Sequence, residues 1–372
     1  MSTGYDSKFH DLLYQAESLK DSASQIMLLE EAIRLADSHS DPDLGFMARE
    51  ALIKVATFGG YPEKALVCFT WCLAQSDQNP QDFPPQMLLW PYKWVALSLA
   101  YFPQLSRTQI NEILDDLTKR FKHMGISLRP IHNIRCRIAW ALGDLPEAVE
   151  HRRNWQAAER DEYSDCIACE MDNNVEFLLN EDQDEQAIRQ AEPILTGAVR
   201  CAEVPHHTYA RILLPLFRNG QYEEAARYHL TGYRLIQRNR DFLGSIAEHM
   251  LFLVLTENME RARGLFEKHL QWALDTKDVY DQLQFFSASS LLFEQLQKTT
   301  TERSIPMQLP ASFPGFKKSG QYNVRKMNNW LGRQVKRIIE SFDKRNGNHY
   351  FTQQITNQRA LLQHVHPFPI EE

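Results

Sequence analysis

An alanine returns every 37 to 39 residues along the chain, at Ala148, Ala187, Ala225 and Ala262, each five places after a turn residue. Three copies of the surrounding signature are nearly complete: Gly60-Tyr61-Pro62-Glu63-Lys64-Ala65, Gly143-Asp144-Leu145-Pro146-Glu147-Ala148 and Gly220-Gln221-Tyr222-Glu223-Glu224-Ala225. Weaker copies run from Asp182 to Ala187 and from Glu257 to Ala262. A fixed period of this length belongs to proteins that stack one supersecondary unit on the next. The residue types suit a tight helix–turn–helix. Glycine can take the left-handed conformation that ends a helix. Proline and glutamate favour the first turn of the next one, and alanine lets the two helices approach closely. The gap from Ala65 to Ala148 is 83 residues, room for two units if a degenerate copy lies near Ile110. Another fits near Ile26, giving about seven helix pairs over residues 8–297.

The signature resembles the tetratricopeptide repeat, in which glycine, an aromatic, glutamate and alanine follow in this order. The resemblance implies an all-α array of antiparallel helix pairs, a TPR-like superhelix. The period here is about four residues longer, which implies an extra helical turn per pair. The position twelve before each alanine carries Ile53, Val175, Leu213 or Met250 where the repeat has a small residue, although Ser98 and Cys136 fit. Residues 166–233 are also similar to a group of bacterial cytoplasmic proteins of this kind. The expected organisation is a repeat array over 1–298, a Pro/Gly-rich linker over 299–322 and a basic helical segment over 323–372.

Composition narrows the function classes. At 372 residues the chain is too long for a single compact bundle, and 43% hydrophobic with 24% charged residues is ordinary for a folded protein. A formal charge of -7 argues against a protein devoted to nucleic acid. The polar stretch Met1 to Ser7 lacks a signal-peptide core, and no apolar run approaches a membrane span. Six cysteines in so long a chain suggest a reducing, cytoplasmic setting rather than a disulfide framework. No phosphate loop, dinucleotide fingerprint, nucleophile elbow or His-Glu-x-x-His is present, so an enzyme is not the expectation.

Two constellations remain as candidate sites. Cys166 and Cys169 begin the first helix of one pair, Cys201 ends the second, and His206 begins the next pair. Antiparallel stacking puts all four at one end of neighbouring helices, within reach of a tetrahedral, structural zinc ion. Buried small side chains are the plainer reading of the same cysteines, and Cys68 and Cys72 read as core. The second candidate is a groove lined by first helices, with Trp94, Asn133, Arg137, Asp172, Asn173, Glu176 and His249 facing inward. Polar groups among aromatics suit an extended peptide.

Residues 317–345 carry nine Lys/Arg against only Glu340 and Asp343, a net of +7. Within them Val324, Met327, Leu331, Val335, Ile338 and Phe342 share one helical face, the pattern of a helix that covers the end of an array. The leading expectation is therefore an intracellular scaffold or adaptor that binds a protein or peptide, without nucleic acid. The alternatives are a peptide-gated regulator resembling the Rap-type sensors and a zinc-dependent enzyme using Cys166 or Cys169.

Overall fold

The computed structural model describes residues 4–371; the first three residues of the polar stretch Met1 to Ser7, and Glu372, lie outside the described residues. The described chain is all-α apart from one short hairpin, and it divides into two compact units, Met1–Ser164 and Asp165–Glu372.

The first unit holds four helix pairs. These are α1 (Gly4–Ser18) with α2 (Ser22–Ser38), α3 (Pro42–Phe58) with α4 (Pro62–Gln78), α5 (Leu89–Ser98) with α6 (Arg107–His123), and α7 (Arg129–Leu142) with α8 (Leu145–Ala157). The second unit opens with α9 (Ile167–Asn180) and α10 (Asp184–Leu195). Next come α11 (His206–Arg211) and α12 (Leu213–Arg218), two halves of one first helix, paired with α13 (Tyr222–Ile236). Pro215 explains the break: it has no N–H to give the carbonyl one turn earlier. The pair α14 (Leu243–Leu255) and α15 (Met259–Asp275) follows, then α16 (Val279–Thr299).

One backbone device closes five of these pairs. Gly60, Gly143, Asp182, Gly220 and Glu257 all have positive φ, between 56° and 76°. The next residue in each case returns its N–H to a carbonyl five positions back: Tyr61 to Ala56, Asp144 to Ala139, Gln183 to Leu178, Gln221 to Leu216 and Asn258 to Leu253, all at 2.8–2.9 Å. This is the bond that ends a helix on a left-handed residue. Asp182 and Glu257 adopt the same conformation without being glycine, which is why their copies of the motif look weak in sequence while the turn is intact.

The ladder residue then starts the second helix. Ala65, Ala148, Ala187, Ala225 and Ala262 are each its fourth residue, and each donates the first helical N–H bond back to the residue after the turn. All are at most 2% exposed. Ile110 holds the equivalent buried place in α6, and in α2 the buried Ile26 lies one residue further on. The positions twelve earlier are buried too, at Ile53, Cys136, Val175, Leu213 and Met250. The Cys136 thiol donates to the carbonyl of Ala148 itself, at 3.1 Å. Each unit is thus a stack of tetratricopeptide-like helix hairpins, five of which are closed by the contact the motif encodes.

Beyond α16 the structure departs from a simple linker. Strands β1 (Ser304–Pro306) and β2 (Gln321–Asn323) pair antiparallel, with Ile305 opposite Tyr322. Ile305, Met307, Leu309, Phe313 and Tyr322 are buried. The segment expected as a linker over 299–322 is therefore a packed flap: its prolines and glycines forbid helix, but they do not prevent burial. After it, α17 (Val324–Asn346) packs on α16 and α18 (Tyr350–Ala360) folds back on α17. Val324, Met327, Leu331, Val335, Ile338 and Phe342 are all buried, while Arg325, Lys326, Arg333, Lys336 and Arg337 face solvent. The buried Asp343 carboxylate accepts the N–H groups of Phe351 and Thr352 and the Thr352 hydroxyl, which anchors the start of α18. The tail then returns to the α14–α15 turn, where His366 and Phe368 donate N–H bonds to Leu255 and Thr256. These bonds serve carbonyls at the end of α14, where the helix has no further N–H to offer; the Thr256 carbonyl also accepts the Asn258 amide at 3.0 Å.

Candidate functional site

Three of the four proposed metal ligands meet. Cys166 caps α9, and its sulfur accepts the N–H of Cys169 at 3.4 Å. The Cys169 and Cys201 sulfurs are 3.4 Å apart, and the three sulfur atoms all lie within 4.8 Å of one another. Cys201 sits in the connection between α10 and α11, held by a bond from its N–H to the Val204 carbonyl. Ala168, Ile194 and Val204 form an apolar wall beside the cluster. Cys166 is exposed and the other two are half-buried. Burial, then the neighbouring sulfurs, push the Cys169 thiol well up.

His206, the fourth residue expected, is not part of this group. Its ring lies against Phe242, 5.3 Å between centroids and nearly parallel, and burial lowers its pKa. The neighbouring His207 ring lies against Phe242 as well, 4.7 Å between centroids. Among the described residues, no His, Cys, Asp or Glu side chain completes the set as a fourth ligand. Cys68 and Cys72 are buried core residues, their thiols pushed up to about 11 and 12 chiefly by burial.

Three of the seven expected groove residues, Asp172, Glu176 and His249, join helices to one another. In the second unit Asp172 is 5% exposed. It pairs with Arg211 and accepts the Thr208 hydroxyl at 2.6 Å, both from the next first helix. Arg211 also reaches Glu176 at 3.2 Å. Burial alone would raise the Asp172 pKa, but Arg211 overcomes it and holds the carboxyl below its ordinary value. Asn173 is buried beside it, and Asn133 is buried on α7, with Arg137 half-buried. Asp172, Asn173, Asn133 and His249 are each less than a tenth exposed and so do not line an open groove.

His249 belongs to a buried histidine cluster that the sequence reading missed. Its Nδ1 lies 3.0 Å from Nδ1 of His229, and Tyr233 and His269 are 3.0 Å apart through the hydroxyl and Nε2. The register held a usable signal: His229 follows Ala225 by four and His269 follows Ala262 by seven, both on the buried face of a second helix. Burial, with smaller pushes from Arg261 and Lys268, lowers His229 to about 4 and His269 to about 3. Neutral histidines with folded pKa values below the ordinary 6.5 stabilise the fold fully above that pH, and the contribution is lost as pH falls toward 4. Glu248 and Asp241 act in the opposite sense, since burial raises them to about 7 and about 8. A substitution separates the two. The stability of His229→Gln relative to the parent is expected to improve by about 3 kcal/mol between pH 7 and pH 4. Urea unfolding at each pH measures it, and a pH-independent difference would contradict the assignment.

Trp94 alone among the expected groove residues keeps an aromatic face partly open. It stands edge-on to Phe58 at 5.2 Å and beside Trp90 at 6.4 Å, and all three rings are half-buried. Trp90 and Trp94 are four residues apart on α5, one face of one helix. Between them in sequence, Lys93 is buried, its ammonium 3.6 Å from the Trp90 ring centre and bonded to the Tyr163 carbonyl. This fixes α5 and hence the direction of both indoles. No helix among the described residues is long and apolar enough to cross a membrane.

No protein-family model matches the chain, and no curated protein matches it. Among solved structures it is similar to the TPR domain of P58(IPK), at 12% identity over 96% of this chain and 98% of that one, with a TM-score of 0.22. With so low a TM-score the comparison adds nothing to the fold assignment, which rests on the helix hairpins and their turns.

Proposed function

We propose that this chain is a protein-interaction scaffold that binds a peptide segment of a partner protein. The half-buried step of Phe58, Trp94 and Trp90 in the first unit is the docking place. The observation that carries this reading is the step itself. Three large rings are held by the fold yet left partly uncovered, and tryptophan is enriched among the few residues that carry most of the binding energy of protein interfaces. The indole N–H groups add donors for a peptide backbone. In this reading catalysis plays no part, and the buried polar ladder of the second unit serves the fold rather than a ligand. The setting is cytoplasmic.

The test compares baits. The full chain, Trp94→Ala and Trp90→Ala are immobilised alongside Tyr14→Ala, which removes an exposed aromatic from α1. Loss of either tryptophan is expected to reduce captured partner protein at least tenfold, the equivalent of about 1.4 kcal/mol or more. The Tyr14 variant should capture as the parent does. Equal capture by all four, with helical content unchanged, would sink the proposal.

A further inference from the structure

Two segments that are distant in sequence bring three sulfur atoms to one point at the start of α9. A pair of core cysteines needs no third thiol, and a disulfide uses only two. At 3.4 Å the Cys169 and Cys201 sulfurs are well beyond the bonded separation of about 2.05 Å. The spread of the three is that of a metal site instead. An ion about 2.3 Å from each sulfur of a tetrahedral set holds the sulfurs about 3.8 Å apart. The distances here, from 3.4 Å to within 4.8 Å, bracket that value.

From this we infer that Cys166, Cys169 and Cys201 form a three-thiolate site for a thiophilic closed-shell cation, zinc(II) before others. Three thiols give up their protons to solvent, three sulfur–metal bonds form, and water takes the fourth position. The resulting set carries one net negative charge. It sits at the N-terminus of a helix of 14 residues, where backbone N–H groups and the helix dipole favour negative charge. The Cys169 N–H already points at the Cys166 sulfur. Sulfur-only ligation selects against magnesium and calcium, which take oxygen. The bound ion would staple the first turn of α9 to the connection carrying Cys201.

Cys166→Ser is the decisive variant. Cys166 is exposed and caps the helix, and serine caps at least as well, so the fold is kept while one ligand is lost. The full chain, reduced and metal-free, is titrated with cobalt(II), whose thiolate complexes absorb through sulfur-to-metal charge transfer, and then with zinc(II). The expected result is one cobalt per chain with a charge-transfer band that one equivalent of zinc removes. Cys166→Ser and Cys201→Ser should lose the band, and Cys136→Ser, a buried thiol of the first unit, should keep it. The inference is overturned if the parent shows no thiolate band or if Cys136→Ser loses it equally. A Cys169–Cys201 disulfide in protein isolated without reductant overturns it as well.

Discussion

Removing residues 317–372 is expected to leave the second unit unable to hold its native packing. Six large apolar side chains of α17 would leave their places against α16 and its neighbours, and each is worth roughly 1.5–3 kcal/mol on burial. Even at the lower end their sum is comparable to the total stability of a domain, about 5–15 kcal/mol. The loss goes further than α17. Strand β1 loses β2, and the α14–α15 turn loses the tail that satisfies Leu255 and Thr256. The truncated chain should show a melting transition lowered by tens of degrees or a lost one for this unit, with aggregation driven by the bared face of α16. An unchanged melting profile in a monomeric truncation would show that α17 is an appendage, and its outward row of lysines and arginines would then need another explanation.

The second large effect is expected at Arg211. Its guanidinium is shared by Asp172 and Glu176, and Asp172 is almost wholly buried. Arg211→Met keeps most of the volume but strips the carboxylate of its cation. Breaking a buried pair from one side costs about 3–5 kcal/mol, because the remaining charge has no cation and only the Thr208 hydroxyl in place of water. Adding Asp172→Asn should recover a good part of this, since the double variant buries no charge at that place. Denaturant unfolding of the two single variants and the double variant measures the coupling. A loss under about 1 kcal/mol for Arg211→Met would mean that water screens the pair as it does at a surface.

The parts of the fold that were legible in sequence are those where geometry dictates residue identity. A left-handed turn favours glycine, a close helix approach favours alanine, and their fixed spacing survives even where Asp182 or Glu257 replaces the glycine. The stripe from Val324 to Phe342 was legible because one face of a long helix was apolar without interruption. The groove was not. A polar stripe on a first helix reads alike whether it faces a ligand or the next helix, and only the structure shows Asp172 meeting Thr208 and Arg211. His206 illustrates a similar limit: the register places it at the correct end of the stack, but ring direction depends on packing against Phe242. In the flap, Ile305, Met307 and Leu309 alternate as strand residues do, but the prolines among them are equally the mark of a linker.

The central claim, that a partner segment docks on the aromatic step of α3 and α5, is tested most directly at Trp94 itself. A photo-activatable aromatic amino acid is placed at position 94 of the full chain and, separately, at the exposed position 14 on α1. Both proteins are irradiated in the same extract, and the adducts are identified by mass. The account predicts a discrete protein adduct from position 94, joined through one segment of the partner and absent from position 14. The same adducts from both positions, or none from position 94, would contradict it.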